Sequence, residues 1–263
     1  MWIPVLAFIL GTSFGSFLNV VIDRLPRGQS LVYPPSHCGT CGKKLGVFEL
    51  IPIASYLWLK GRCRYCKASI PRRILAVEMG SGLLFALISF NYGFSIEFLV
   101  LAFYTCIFII LTLIDLEHGL ILNKITYPAI GISFALAPFW SSLGFSRTFL
   151  GGNSVLHVFL SSLSGGVIFA GFFLIIILLS RGGMGWGDVK MAWLIGLVTG
   201  FPSVLVAMMV SFISGGLTAG LLLLLHLKSR KETIPYGPFL AIGAFIALLW
   251  GENIIDWYWR QWL

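Results

Sequence analysis

The sequence contains few charged residues. They make up 11% of its 263 positions, whereas hydrophobic residues make up 58% and the mean hydropathy is +0.94. Soluble globular proteins are nearer half apolar and a quarter charged. Because one aqueous core cannot hide so much apolar surface, lipid must solvate a large part of the chain. The composition excludes an ordinary soluble domain and predicts an all-α polytopic membrane protein.

Several apolar runs approach or exceed the ~20 residues that a membrane-spanning helix needs. We predict spans at residues 2–22, 75–91, 96–114, 125–140, 154–180, 189–201, 203–227 and 237–255. The sixth run is short, and its boundary with the seventh falls at Phe201 and Pro202. The first run lacks a basic segment before it and a small-residue cleavage site after it, so we expect no cleaved signal peptide.

Basic residues lie almost entirely on one side of this topology. There are eighteen Lys and Arg against ten Asp and Glu, and ten of the eighteen lie in residues 24–73. With eight spans, six more fall on the same side: Lys124, Arg181, Lys190, Lys228, Arg230 and Lys231. Only Arg147 and Arg260 fall on the other side, so the positive-inside rule puts the basic loops in the cytoplasm and both termini outside. The net charge of +8 therefore indicates orientation and attraction to lipid headgroups rather than nucleic-acid binding.

Only five cysteines are present, and four lie in the one sizeable soluble segment, residues 23–73. Cys38 and Cys41 form one Cys-x-x-Cys pair, and Cys63 and Cys66 form a second. Two such pairs are typical of tetrahedral zinc sites, and four cysteines leave no open coordination position for catalysis. We predict a small cytoplasmic four-Cys zinc-binding insert with a structural role. A redox role is the alternative, in a compartment that disfavours disulfides.

Carboxylates near the membrane are few, and each needs an explanation because a charge within a span is costly. Asp115 ends the third apolar run and Asp188 precedes the sixth, so we expect both at cytoplasmic helix ends. Two carboxylates that meet where water is scarce share one proton. Such a pair suits peptide hydrolysis, since one member accepts a proton from water and the other polarises the scissile carbonyl. Alternatively, each aspartate caps a helix or faces loop water.

Several residues could support this pair from positions beside it or near the insert: Gly185, Gly187, Lys190, Glu117, Glu78 and Glu49. The glycines would serve backbone geometry, and the charge of Lys190 could bias ionisation of the aspartates. For Glu78 the simplest interpretation is an ion pair with Arg72 or Arg73, and for Asp23 an ion pair with Arg24.

Ordered motifs extend over nearly the whole chain. They are Gly-Ser-Phe-Leu-Asn-Val-Val-Ile at 15–22, Arg-Leu-Pro at 24–26, the double Cys-x-x-Cys insert with Leu-Ile-Pro at 50–52 and Gly-Arg-Cys-Arg at 61–64, Glu78, Ile-Asp-Leu-Glu at 114–117, Gly-Met-Gly-Trp-Gly-Asp-Val-Lys at 183–190, and Pro-Tyr-Gly-Pro-Phe at 235–239. In this order they closely resemble the type IV prepilin peptidases, membrane aspartic proteases of the Gly-x-Gly-Asp group.

The resemblance implies that Asp115 and Asp188 are the catalytic pair of an endopeptidase in the bacterial inner membrane. Its substrates would be type IV prepilins or pseudopilins, cut on the cytoplasmic side after a glycine and usually before a phenylalanine, in pilus assembly or protein secretion. Many members also methylate the new N-terminus with S-adenosylmethionine. We divide the chain into a first transmembrane helix (1–22), a Cys-rich zinc-binding domain (23–73) and a transmembrane protease domain (74–263).

Two positions depart from the family pattern. Leu122 stands where the family usually has proline, which changes the stiffness of the loop rather than the chemistry. Leu50 stands where many bifunctional members have asparagine beside Glu49. This difference counts against methyl transfer by this chain. The sequence also lacks a glycine-rich strand-to-helix nucleotide fingerprint, and nothing in it indicates the oligomeric state.

Two other functional classes remain open on the residues alone. In a transporter, Asp115 and Asp188 would form a proton or cation site and the insert would sense a metal. Its carboxylates would face a pathway open to both sides, whereas a hydrolase predicts a site closed from outside. In a catalytically silent assembly factor, the insert would hold partner proteins.

Overall fold

The computed structural model describes residues 2–145, 154–180, 185–227 and 234–262. Within these residues the chain forms α-helices and short 3₁₀ turns, with two isolated β-bridges and no strand. The helices are α1 (Trp2–Arg24), α2 (Ala54–Trp58), α3 (Arg72–Tyr92), α4 (Ile96–His118), α5 (Asn123–Leu136), α6 (Val155–Ser180), α7 (Trp186–Thr199), α8 (Ser203–Leu224) and α9 (Gly237–Trp262).

All helices except α2 coincide with the predicted spans. The predicted break at residues 201 and 202 is confirmed, because α7 ends at Thr199 and α8 begins at Ser203. Within the described ranges, six helices are long and apolar enough to cross a membrane, namely α1, α3, α4, α6, α8 and α9. The other two, α5 and α7, have 14 residues each, or about 21 Å, which is less than the ~30 Å of hydrocarbon. The all-α polytopic fold is therefore confirmed. Of the eight predicted spans, six are helices of spanning length in the part of the chain that the structure describes, and two are shorter helices.

The helices form two compact units, Met1–Ile110 and Leu111–Leu263. In the first unit, α1 and α3 pack as an antiparallel pair along a line of small residues. A Cβ atom on Gly15 would lie 2.8 Å from the Cα atom of Glu78, and one on Gly11 would lie 2.9 Å from the Cα atom of Gly82. Small side chains of this kind let helix backbones approach closely within a membrane.

One ion pair joins the end of α1 to the start of α3. Arg73 Nη2 donates to Asp23 Oδ1 at 2.7 Å. The sequence predicted that Asp23 pairs with Arg24, and this was wrong. Arg24 Nη1 instead donates to the carbonyl of Ser30 at 3.0 Å. The antiparallel packing explains the difference, because it brings the first residues of α3 beside the last residues of α1.

In the second unit, α7 packs tightly against α6. A Cβ atom on Gly165 would lie 2.5 Å from the carbonyl oxygen of Gly196, so neither helix tolerates a side chain at the crossing. The residues of α7 from Leu194 to Thr199 are buried. Protein neighbours rather than lipid therefore surround α7, which explains how a helix of 14 residues can sit in this fold.

Some residues discussed above lie outside the described part of the chain. They are Gly183 and Met184 of the second aspartate motif and the basic residues Arg147, Arg181, Lys228, Arg230 and Lys231.

Candidate active site

Asp115 lies near the end of α4 and is only 5% exposed. Its Oδ2 atom accepts a hydrogen bond of 2.8 Å from the amide of Gly237, which lies 122 positions later in the chain. Gly237 is the first residue of α9, and the amides of a first helical turn have no partner within their own helix. The start of α9 thus supplies a donor to the buried carboxylate at the end of α4.

The Gly237–Asp115 contact depends on the absence of a side chain at position 237. A Cβ atom there would lie 2.7 Å from Asp115 Oδ2 and 3.1 Å from Asp115 Cβ and Cγ. Any residue larger than glycine would therefore push the carboxylate away from the donor.

Asp188 occupies the first turn of α7, where its amide donates to the carbonyl of Gly185 at 3.1 Å. A carboxylate at this end of a helix is stabilised by the exposed amides and the helix dipole. The side chain is partly buried and lies close enough to Asp115 for the two negative charges to repel each other. Both predicted aspartates therefore lie in the second unit, near enough to interact electrostatically.

The two glycines before Asp188 play different parts. A Cβ atom on Gly187 would lie 2.9 Å from the Cβ atom of Ile121, in the loop after α4. On Gly185, the nearest atom would be Asp188 Oδ2 at 3.6 Å, which is an ordinary contact distance. Gly187 is thus needed for α7 to pack against this loop, whereas the space around Gly185 admits a small side chain.

Lys190 bonds to the start of α5. Its Nζ atom donates to Asn123 Oδ1 at 2.8 Å and lies 5.2 Å from the centre of the Tyr127 ring. These contacts tie α7 to α5. Glu117, two residues after Asp115, is exposed.

Tyr236 also belongs to this region. From the sequence, the stretch 235–239 could line the substrate path or simply begin the last span, and Tyr236 had no role of its own. Its hydroxyl donates to the carbonyl of Ser211 in α8 at 3.1 Å. Burial, and then the negative charge of Asp188, raise the pKa of Tyr236 to about 12, so the phenol stays protonated. This hydrogen bond fixes the segment immediately before Gly237. Pro235 and Pro238, on either side of Tyr236 and Gly237, were the sequence signal that could have indicated a structural role for this segment. Prolines so placed restrict the backbone of a turn.

Glu78 and Glu49 belong to the first unit and each accepts a backbone amide of the insert. Glu78, which is 4% exposed, accepts from Ile53 at 2.7 Å, and Glu49 accepts from Gly46 at 2.7 Å. The ion pair expected for Glu78 is thus replaced by a bond to the insert backbone, since its carboxylate reaches the loop before α2.

The four predicted cysteines form a cluster. The Sγ atoms of Cys38, Cys41, Cys63 and Cys66 all lie within 4.8 Å of one another, and those of Cys38 and Cys66 are 3.8 Å apart. Tetrahedral zinc with bonds of about 2.3 Å to sulfur requires sulfur atoms about 3.8 Å apart. The cluster therefore has the donor atoms and the size to hold a metal ion.

The two cysteine pairs repeat the same turn. In each, the amide of the first cysteine donates to a carbonyl beyond the second: Cys38 to Lys43 at 3.0 Å, and Cys63 to Ala68 at 2.8 Å. The residue after each second cysteine, Gly42 or Lys67, has a positive φ. This repetition aims both pairs of thiols at one point.

Backbone amides favour the thiolate form that a metal requires. Hydrogen bonds from the backbone of Cys41 and Thr40 lower the pKa of the Cys38 thiol to about 6. At Cys66 a backbone hydrogen bond from Ala68 acts in the same direction. Burial and the neighbouring thiols outweigh it and raise the Cys66 pKa to about 11. Thiols so close together cannot all ionise without a cation between them.

Comparison with known proteins places these features in one family. The profile described as the bacterial peptidase A24 N-terminal domain matches residues 9–92, and that of the type IV leader peptidase family matches residues 102–220. A prepilin leader peptidase/N-methyltransferase of Pseudomonas putida is 32% identical over 273 residues, which cover 95% of this chain and 91% of that protein. The chain belongs to the type IV leader peptidase family.

Other members of the leader peptidase family match as completely. The protein of the same name from Aeromonas salmonicida strain A449 is 31% identical over 96% of this chain and 92% of its own length. The protein of the same name from Bacillus subtilis strain 168 is 30% identical, over 95% of this chain and 96% of its own length. No solved structure matches the chain. The resemblance inferred from the motifs is confirmed, and both Asp115 and Asp188 fall within residues 102–220.

The first prediction concerns Gly237. Replacing it with alanine should displace the Asp115 carboxylate and lower the rate of leader removal about 10²-fold, as misplacement of a catalytic group by about 1 Å does. Gly216→Ala in α8 is the matched control, because a Cβ atom there meets nothing within 4 Å. Rates are measured in detergent or vesicles by mass spectrometry of the products. Equal rates for the two variants would contradict the role of the Gly237 contact.

The second prediction separates Gly187 from Gly185. Gly187→Ala should lower the free energy of unfolding by about 1–3 kcal/mol, the usual cost of overpacking, because the new methyl group meets Ile121. Gly185→Ala should have a smaller effect. Thermal unfolding of the two variants in the same detergent measures the difference. A larger drop in Tm for Gly185→Ala would show that α7 does not pack against this loop as described.

Proposed function

We propose that this chain removes the leader peptide of type IV prepilins or pseudopilins, with Asp115 and Asp188 as its catalytic pair. The observation that carries the proposal is the pairing of a buried Asp115 with Asp188 at adjoining helix ends. Family membership supports the reaction, and the relatives compared above are named for this activity. None of those names favours the transporter alternative.

The two aspartates share one proton in the resting site. The ionised member takes a proton from a water molecule as that water attacks the scissile carbonyl, while the protonated member donates to the carbonyl oxygen. The resulting tetrahedral diol collapses when a proton passes to the leaving amine. Gly237 and the start of α7 each stabilise negative charge, so the charge can move between Asp115 and Asp188 during the reaction.

The position of the pair suits the substrate class. Asp115 lies near the end of α4 and Asp188 lies in the first turn of α7, so both are at helix ends rather than at the middle of a span. A prepilin carries an apolar helix directly after its cleavage site, so its scissile bond lies at the membrane surface while this helix remains in lipid. We propose that the cut follows a glycine and precedes a phenylalanine or a similar residue.

The topology is part of the proposal. Asp115, Asp188 and the insert would face the cytoplasm, and both termini would lie on the outer side of the bacterial inner membrane, as the distribution of basic residues favours. The division into a first helix (1–22), a zinc-binding domain (23–73) and a protease domain (74–263) also stays a prediction.

We propose zinc as the occupant of the four-cysteine cluster. The fit of the sulfur spacing and the repeated turns support it. The ion would hold residues 38–66 together, and a segment with so small a core depends on such a link. With all four positions taken by Cys38, Cys41, Cys63 and Cys66, the metal would take no part in hydrolysis.

N-methylation of the new N-terminus is proposed on the names of the relatives alone. S-adenosylmethionine would supply the methyl group. The described residues contain no β-strand and hence no glycine-rich strand-to-helix turn for a nucleotide. Among the residues that the structure describes, we therefore assign none to this cofactor.

Removing either catalytic carboxylate tests the central proposal. Asp115→Asn and Asp188→Asn should each lower the rate of leader removal by about 10³-fold, since a general acid or base is lost. Asp256→Asn, at an exposed position near the end of α9, is the control with the same substitution. Intact-mass measurement of a co-expressed prepilin reads the outcome and also shows any added methyl group. Normal processing by either variant would refute the mechanism.

Metal content tests the cluster. The purified chain should contain one zinc ion, and Cys38→Ser or Cys63→Ser should lose it because three thiolates bind far more weakly than four. Cys106→Ser should keep the ion, since Cys106 lies outside the cluster, in α4. Elemental mass spectrometry of the proteins gives the ratio. Zinc retained in the Cys38 and Cys63 variants would mean that the ion binds elsewhere.

A further inference from the structure

The insert exposes large apolar side chains on two neighbouring elements. Val47 and Phe48, in the 3₁₀ turn Val47–Leu50, are 80% and 79% exposed, and Leu57 and Trp58, at the end of α2, are 62% and 86% exposed. The two elements contact each other. We call these four side chains the apolar face. Adjacent exposed side chains of this size commonly mark a surface that binds a partner or a membrane.

The loop between these two elements is tied to a membrane-spanning helix. Ile53, which lies between the turn and α2, donates its amide to Glu78 Oε2 at 2.7 Å. Glu78 is the seventh residue of α3, about 9 Å along the helix axis from its first residue. A helical side chain leans back toward the helix start, so the carboxylate meets Ile53 near the first turns of α3. The loop therefore lies at the depth where this span enters the lipid headgroups.

Ile53 is held firmly in this position. Its φ of +61° is in the left-handed region, which a β-branched residue rarely occupies. The buried carboxylate of Glu78 and the hydrogen bond from the Leu57 amide to the Ile53 carbonyl, at 3.0 Å, fix it there. The apolar face flanks this loop on both sides in the sequence and is thereby carried to the membrane surface.

The charge around the apolar face selects the kind of partner. Residues 24–73 contain ten Lys and Arg, and Glu49 is their one acidic residue. The Glu49 carboxylate is engaged by the amide of Gly46. An excess of positive charge beside exposed Trp, Phe and Leu is typical of segments that lie in the interface of anionic membranes. Such a surface repels basic proteins.

We propose that Val47, Phe48, Leu57 and Trp58 form an interfacial anchor that seats the insert on anionic phospholipid headgroups. These headgroups belong to the leaflet on the same side of the membrane as the insert. Through the Glu78–Ile53 bond, this anchor and α3 hold the cysteine cluster at a fixed height above the bilayer. The proposal concerns the insert alone and does not depend on which peptide the enzyme cuts.

Photo-crosslinking in lipid nanodiscs tests the anchor on the full chain. p-Benzoylphenylalanine replaces Phe48 or Trp58 in separate proteins, and Tyr65 in a control. Tyr65 lies in the second cysteine turn, is 44% exposed and has Lys43 Nζ 4.3 Å from its ring centre. Each protein is placed in nanodiscs of phosphatidylcholine, alone or with an equal part of phosphatidylglycerol. After irradiation, intact mass reveals phospholipid adducts, and zinc content checks that each insert is folded.

The proposal predicts phospholipid adducts at positions 48 and 58, several-fold more abundant than at position 65. Their yield should rise with phosphatidylglycerol and fall with salt, because part of the attraction is electrostatic. Adducts to a second copy of the chain, no adducts at 48 and 58, or equal yields at all three positions would overturn it.

Amide hydrogen exchange tests the same proposal on the unsubstituted chain, so the result does not depend on p-benzoylphenylalanine. Amides of residues 47–58 should exchange several-fold more slowly in nanodiscs that contain phosphatidylglycerol than in those of phosphatidylcholine alone, whereas amides of residues 63–68 should not change. Identical exchange of residues 47–58 in the two lipids would overturn the proposal even if adducts form.

Discussion

The hydrogen bond from the Gly237 amide to Asp115 Oδ2 is the contact on which the arrangement of the second unit depends. A buried carboxylate in an apolar helix destabilises the fold unless a donor satisfies it. Here the donor is a free amide at the start of another helix, so the beginning of α9 must lie beside the end of α4. The absence of a side chain on Gly237 lets the two backbones approach closely enough.

The surrounding contacts follow from that requirement. Tyr236, one residue earlier, bonds to Ser211 and so joins the start of α9 to α8. On the other side, Gly187 lets α7 approach Ile121 in the loop that follows α4. Asp188 is thereby carried toward Asp115 by packing of its own helix rather than by a direct bond between the carboxylates. Each aspartate is thus held by its own set of contacts.

Much of the fold and the identity of the main residues could be predicted from the sequence because they rest on local patterns. Apolar runs predict the helices, and two Cys-x-x-Cys pairs predict a cluster that the structure assembles. Asp115 and Asp188 stood out because acidic residues are rare in this chain. The break between α7 and α8 could also be predicted from the sequence, because Pro202 has no backbone N–H to donate within a helix.

The partners of these residues could not be predicted, because they lie far apart in the sequence. Gly237 is one of thirty glycines, and nothing local marks it as the donor to Asp115. The pairing of Asp23 with Arg73, and of Glu78 with the Ile53 amide, depends on how α1, α3 and the insert pack. The length of α7 likewise reflects burial by neighbouring helices rather than the thickness of lipid.

The most direct test of the account asks whether the two aspartates face each other. A chain with Asp115→Cys and Asp188→Cys is treated in membranes with a short bifunctional thiol reagent, and linked peptides are mapped by mass spectrometry. If the two aspartates form one site, the reagent should link positions 115 and 188 without added substrate. If each cysteine is modified by the reagent but the two are never linked, Asp115 and Asp188 do not form one site.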